Sequence, residues 1–259
     1  MTQVAVITGA AQGIGRRTAQ VLNEHGWSLV LLDLQHVDAS EYKSALALAG
    51  DISDEQFVES AAQQCIDKFG RVDALVNNAG ISMRALFKDL DLVVIRNLMD
   101  VNFWGTVYCT KYALPELLKN KGSVVGVSSI AGYKGLPGRT GYSSSKFAMN
   151  GFLEALRVEN LKTGLHVMIA SPGFTASNIR KVALVKDGSA QGETSMVEEK
   201  MMSAEEVAEQ IAQGVENRSR TLVMTFQGKL TVFLSKWLPK LLDKLVYTHF
   251  TKEKDPLIR

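Results

Sequence analysis

Cysteine, charge excess and long apolar runs are all scarce in this 259-residue chain, and each shortage excludes something. Cys65 and Cys109 have no partner at a spacing used by metal or redox motifs, so a cysteine-based centre is not expected. Both fall inside apolar helical patterns and are expected to be buried thiols, which is compatible with a reducing compartment. No metal-ligating cluster stands out, and no metal is expected. Lysine plus arginine number 29 against 27 acidic residues, a formal net charge of +2. The basic residues are not blocked except near the C-terminus, so no nucleic-acid partner is expected. No apolar run reaches the ~18 residues of a spanning helix. A strand pattern follows Met1 at once with no basic stretch before it, so a signal peptide is not expected. The expected location is cytoplasmic, with peripheral membrane association as the alternative.

What is present is core material. The length suits one large domain or two small ones, and the 46% of hydrophobic residues is enough for a sizeable core. Val4–Thr8 is a short continuous apolar run, as in a strand buried on both faces of a parallel sheet. Similar runs are Ser28–Leu32, Ala45–Ala49, Val72–Val76, Ser123–Val127, Leu165–Ala170 and Thr221–Thr225. Amphipathic patterns lie between most of them: Ile14 to about His25, Asp54–Lys68 with Ser53 as its cap, Leu90–Leu118, Ser143 to about Lys162, and Ala204 to about Glu216 capped by Ser203. Between Gln35 and Lys43 there is room only for a turn or one short helical piece. The order is β-α-β repeated, which predicts an α/β fold: one doubly wound, Rossmann-like parallel sheet of about seven strands flanked by helices. Residues 1–226 would form this domain, with an irregular stretch at 177–202, and 227–259 a C-terminal helical extension.

The first strand runs into TGAAQGIG and then a helix, the context that gives a glycine motif meaning. Gly9 allows a tight turn, Gly13 lets a pyrophosphate approach the backbone, and Gly15 lets the helix pack on the strand. Gln12, Gly13 and Ile14 lie at the helix start, where unpaired N–H groups face the phosphates. Asp33 ends the second strand eighteen residues after Gly15, about where an acidic side chain accepts from an adenosine ribose. A carboxylate there repels a 2′-phosphate, and Gln12, Leu34 and Gln35 supply no base to receive one. NAD is therefore preferred over NADP. Asp51 and Ile52 end the third strand where adenine can stack or hydrogen-bond. Asn78, Ala79 and Gly80 follow the fourth strand at the same sheet edge, small enough for the backbone to approach a cofactor. Asn102 interrupts an apolar helix, a costly place unless its amide is used. His166 lies inside a strand pattern and reads as structural.

Ser128 to Lys146 follows the fifth strand, with Tyr142 and Lys146 four residues apart on one helix face. A hydroxyl, a phenol and an ammonium here could form a proton-transfer site.

TGAAQGIG at 8–15, NNAG at 77–80, Asn102 in VNFWG, SSIAG at 128–132, YSSSK at 142–146 and PGFT at 172–175 together resemble the short-chain dehydrogenase/reductase family. The resemblance covers residues 3 to about 226. It implies that Ser129, thirteen residues before Tyr142, orients substrate, that Tyr142 is the general acid/base, that Lys146 is its partner and reaches the nicotinamide ribose, and that Asn102 holds a relay water. It implies that the backbone at Pro172 and Gly173, with the Thr175 hydroxyl, meets the nicotinamide carboxamide. A tyrosine of pKa about 10 is a poor base at neutral pH, and a nearby ammonium would favour its phenolate. The implied reaction is hydride transfer between nicotinamide and a secondary alcohol or ketone; the alternative is a non-catalytic dinucleotide-binding or membrane-associated scaffold. In the family, 177–202 is a substrate lid, here with Ile179, Val182, Val185 and Met196 as apolar candidates, and helices such as 90–118 and the one after Tyr142 build homodimers or homotetramers.

From Gly228 to Val246, apolar residues recur at spacings of three and four with Lys229, Lys236, Lys240 and Lys244 between them. Pro239 should break this amphipathic pattern. Packing on the domain or a subunit mate is the preferred reading, and an in-plane membrane contact is the alternative. Family members acting on lipids resemble this chain in carrying such tails, which suggests an apolar substrate. The end, His249 to Arg259, is charged and expected to fray.

Overall fold

Alternate residues of the first strand, β1 (Val4–Thr8), point to opposite layers: Val4 and Val6 into one apolar cluster, Ala5 and Ile7 into the other. This two-sided burial is what a continuous apolar run encodes. In the computed structural model, which describes residues 2–175, 178–180, 182–192, 201–252 and 255–258, β1 sits within a seven-stranded parallel sheet. The other strands are β2 (Ser28–Asp33), β3 (Ala45–Ala49), β4 (Ala74–Asn77), β5 (Ser123–Val127), β6 (His166–Ser171) and β7 (Thr221–Val223), in the order β3-β2-β1-β4-β5-β6-β7. The order reverses between β1 and β4, so the crevice for a ligand opens above the C-terminal ends of those strands.

Helices α1 (Gly13–Glu24) and α6 (Ala204–Glu216) cover one face through Ala19, Leu22, Val207 and Ile211. Helices α2 (Glu55–Phe69), α4 (Gly105–Lys119) and α5 (Thr140–Glu159) cover the other through Val58, Cys65, Leu117, Met149 and Leu153. The β2–β3 link holds only a single 3-10 turn, Ala39–Glu41. Ser203 and Glu206 form a reciprocal capping box on α6. The cap of α2 is Asp54, not Ser53: its carboxylate accepts from the Gln56 N–H at 3.0 Å, a reach one residue closer to the helix. Both thiols are free and buried. His166 has both ring nitrogens engaged, 2.9 Å from the Ser123 hydroxyl and 2.8 Å from the Ser219 carbonyl, and burial lowers its pKa. The carbonyl can only accept, so Nε2 donates and the ring stays neutral as a core strut.

The segment expected as one helix over 90–118 is two. Helix α3 (Leu92–Met99) passes through a π-turn, Asp100–Trp104, before α4 begins. The wider turn carries Asn102 into the interior, where it is fully buried.

The tail forms α7 (Phe226–Trp237) and α8 (Pro239–Phe250), broken at Leu238 with Pro239 in the first turn of α8. The expected frayed end is corrected in part. Asp255 pairs with Arg84 at 3.1 Å, and Leu257 packs over Gly138, because an apolar side chain finds a glycine-lined surface there. Of the stretch 177–202, the residues Ser177 and Met196 lie outside the described residues.

Candidate active site

The turn after β1 is built by its neighbours. Gly9 has φ +66°, and a Cβ there would stand 2.9 Å from Ala79 Cα, so only glycine fits. Asn78 Nδ2 donates to the carbonyls of Thr8 at 2.9 Å and Gly9 at 3.2 Å. The Thr8 hydroxyl in turn accepts from the N–H groups of Asn78 and Ala79. The Asn-Asn-Ala-Gly segment thus locks the glycine turn from below. Gly15 packs directly on it: a Cβ would lie 2.1 Å from the Gly9 carbonyl oxygen.

The same turn presents an anion site. Gln12, at the N-cap of α1, makes no side-chain cap, and no acidic residue stands in the first turn. The first N–H groups of α1 therefore face the crevice without an internal acceptor, next to the positive end of the helix dipole. Asp33 is held rigidly beside it: one carboxylate oxygen accepts from the Ala11 N–H and the other from the Gln35 N–H, both at 2.9 Å. A glycine turn with open N–H groups and a fixed carboxylate at the next strand end fits a dinucleotide.

These groups line one cavity of about 460 Å³. From its cofactor end to its far end it meets Gly9, Gln12, Gly13, Ile14, Asp33, Asp51 and Ile52, then Asn78, Ala79 and Gly80, then Ser129, Tyr142, Lys146, Pro172, Gly173 and Thr175. Two expected residues do not line it. Gly15 is buried under the turn, as its packing role requires, and Asn102 lies behind the wall. Val185 of the expected lid also stands off the cavity; its N–H closes a turn to the Ser189 carbonyl, while Ile179 and Val182 do reach the wall.

Tyr142 and Lys146 occupy the first two turns of α5. Lys146 Nζ crosses to donate to the Val127 carbonyl at 2.9 Å, and burial pushes its pKa down to about 8. Burial also raises the pKa of Tyr142, opposed by the Ser129 hydroxyl and by the charge of Arg139. Among the protein's own groups, burial is the largest influence on Tyr142, and the cation that acts to lower its pKa is Arg139. Lys146 is itself desolvated, with its Nζ 6.0 Å from the phenol ring centroid. Ser129 Oγ accepts from the Ala131 N–H at 3.2 Å, which leaves its own proton to donate into the cavity.

Asn102 acts through its amide. Its Oδ1 accepts from the Ile81 N–H at 2.8 Å, and its Nδ2 donates to the Ile81 carbonyl and to Ser145 Oγ, both at 2.9 Å. Ser145 Oγ donates onward to the Tyr142 carbonyl at 2.8 Å. The π-turn thereby ties the wall at Ile81 to the helix that carries Tyr142 and Lys146.

Sequence reasoning missed Leu136, Arg139 and Arg180 in the cavity wall, together with Ile81, Ser82 and Val101. Val101 belongs to the apolar pattern of 90–118 and read as core; the others lie on loops or at element ends with no periodic signal. Only the closeness of Arg139 to Tyr142 in sequence could have drawn notice.

Comparison with known proteins agrees with this geometry. The family model described as "short chain dehydrogenase" matches residues 3–187. The mouse protein "Dehydrogenase/reductase SDR family member 7B" is 33% identical over 267 residues, covering 97% of this chain and 82% of that protein. Among solved structures, a short-chain dehydrogenase from Streptomyces avermitilis superposes with TM-score 0.81 at 24% identity, covering 97% of each chain. An alcohol dehydrogenase from the archaeon Thermococcus sibiricus, complexed with 5-hydroxy-NADP, superposes with TM-score 0.75 at 24% identity, covering 86% of this chain and 96% of that one.

Proposed function

The chain belongs to the short chain dehydrogenase family of oxidoreductases, and from that premise we propose that it moves a hydride between NAD and an apolar secondary alcohol or ketone, with Tyr142 as the proton donor and acceptor. The observation that carries this is the single cavity shared by the glycine turn, Asp33, Ser129, Tyr142 and Lys146.

The nicotinamide, when bound, supplies the hydride acceptor or donor and a positive charge in its oxidised form. The protein does the rest. Tyr142 takes the alcohol proton in oxidation and returns it in reduction. Ser129 donates its hydroxyl proton to the reacting oxygen and stabilises charge developing there. Lys146 is held against the Val127 carbonyl, where its remaining protons can meet the ribose hydroxyls and the Tyr142 oxygen. Asn102 is a positioning residue: its amide makes three bonds that tie Ile81 to Ser145. Pro172 and Gly173, with the hydroxyl of Thr175, would hold the carboxamide.

The preference for NAD is supported by the Asp33 carboxylate, which two backbone donors fix at the strand end where ribose hydroxyls would lie. Beside Ser82, Arg139 and Arg180, the cavity wall carries Ile81, Val101, Leu136, Phe174, Ile179 and Val182, and these support an apolar substrate. Trp104 and Phe147 stand exposed on the π-turn and α5 and support a homodimer or homotetramer. The test is a screen of apolar secondary alcohols and ketones, following the absorbance of reduced nicotinamide. Turnover with several of them is expected; none with any, by a folded protein that binds NAD, would return the chain to the scaffold reading.

A further inference from the structure

Helices α7 and α8 have two apolar faces, not one. The inner face packs on the domain through Gly228, Leu242 and Phe250, all buried. The outer face carries Phe226, Leu230, Phe233 and Trp237 at spacings of four, three and four, and continues across the break through Leu238, Leu241 and Leu245. All seven are exposed, Phe226 at 82% and Trp237 at 71%. Packing on the parent domain accounts for the inner face and leaves the outer one uncovered. A continuous stripe of seven large apolar side chains exceeds what a freely solvated surface ordinarily carries.

The charges beside the stripe say what covers it. Lys229, Lys236, Lys240 and Lys244 are all exposed. Asp243 is the only acid between 226 and 250, and it pairs with Lys134 on the parent domain. A second copy docked on this face would bring two sets of lysines together, which like-charge repulsion opposes. An anionic lipid surface complements both features at once: acyl chains take the stripe and headgroups take the lysines. Each helix has twelve residues, about 18 Å long, too short to cross a bilayer, so the pair would lie in the plane of the membrane. The face also adjoins the cavity. His249 of α8 stacks on Phe174 of the cavity wall, with ring centroids 6.4 Å apart.

We propose that the outer face of α7 and α8 docks in-plane on an anionic lipid bilayer, with the cavity rim beside the membrane surface. This inference is independent of the cofactor and of turnover.

Flotation of the full chain tests it, with vesicles of phosphatidylcholine alone and of phosphatidylcholine with phosphatidylserine. The chain is expected to float with the anionic vesicles, and high salt should release it. Phe233→Glu with Trp237→Glu should abolish flotation while leaving the urea midpoint unchanged, since both side chains point away from the core. Should that variant unfold, Lys236→Gln, Lys240→Gln and Lys244→Gln together keep the test open, and should weaken partitioning by about a hundredfold. Failure to float, equal flotation on neutral vesicles, or a dimer by light scattering that the glutamate variant splits would each overturn the proposal.

Discussion

Lys146 donates from α5 to the backbone carbonyl of Val127 at the end of β5, so the sheet edge and the helix bearing Tyr142 are joined by a buried ammonium. That ammonium is costly to keep charged in the folded chain. Its pKa falls from 10.5 to about 8, so between those values the unfolded chain binds more protons than the folded one. Stability from this group therefore rises with pH through that window and is lost as pH falls through the folded value. Relative to a Lys146→Met variant, the wild type should gain roughly 1 kcal/mol from about pH 7 to about pH 9. Urea unfolding of both proteins at each pH measures the difference. Tyr142 and the two cysteines have raised values and act in the opposite direction at higher pH, but they are common to both proteins and cancel. Parallel pH profiles would mean that Lys146 is not desolvated as described.

Tyr142→Phe removes one oxygen and leaves the ring's packing intact. Turnover should drop by about 10³-fold or more, within the usual range for losing a general acid. NAD binding, followed by quenching of intrinsic fluorescence, should stay within about threefold, because Asp33 and the glycine turn are untouched. If the variant turns over at the wild-type rate, the proton comes from elsewhere.

The parts that sequence made legible share a physical cause. Strands β1 and β5 fall where continuous apolar runs placed them, since burial on both faces leaves no ambiguity of register. The break at Pro239 was equally visible, because a missing N–H has one consequence. Other features had no sequence signal. A π-turn differs from an α-turn by one residue and has no composition of its own, so Asn102 looked like a flaw in one helix until the turn carried it inside. Ser53 and Asp54 are both good capping types, and only the backbone decides which one caps. The tail's spacings of three and four pooled two faces into one pattern; the outer stripe separated from the inner only once the domain was seen to cover Leu242 and leave Trp237 exposed.

Cofactor choice rests on Asp33. Its two oxygens brace the Ala11 and Gln35 N–H groups, so its removal also loosens the turn. The wild type should bind NAD at least about tenfold tighter than NADP, a difference of about 1.4 kcal/mol. Asp33→Ser with Leu34→Arg replaces the repelling carboxylate with a short hydroxyl and puts a cation at an exposed rim position. This pair should reverse the preference while costing affinity for both. Titrations of each protein with each dinucleotide decide it, and tighter NADP binding by the wild type would overturn the assignment.

Asn102 makes the sharpest structural prediction. Its amide satisfies the N–H and carbonyl of Ile81 and holds Ser145, which in turn holds the carbonyl of Tyr142. Asn102→Leu keeps the branching and heavy-atom count, though it is bulkier, and deletes all three bonds, leaving the part-buried Ile81 groups without that partner. The cost should be about 2–4 kcal/mol, read as a lower urea midpoint with little change in slope. Asn102→Asp restores the acceptor for the Ile81 N–H but cannot donate to the Ile81 carbonyl or to Ser145, and it buries a charge, so it should rescue nothing. A purely structural clamp would lower stability alone. A clamp that positions Tyr142 should also lower kcat at temperatures where the variant is fully folded, with KM for NAD nearly unchanged, because the glycine turn is held by Asn78 and Thr8 instead. An unchanged kcat in the folded variant would separate Asn102 from the reaction and leave it only the fold.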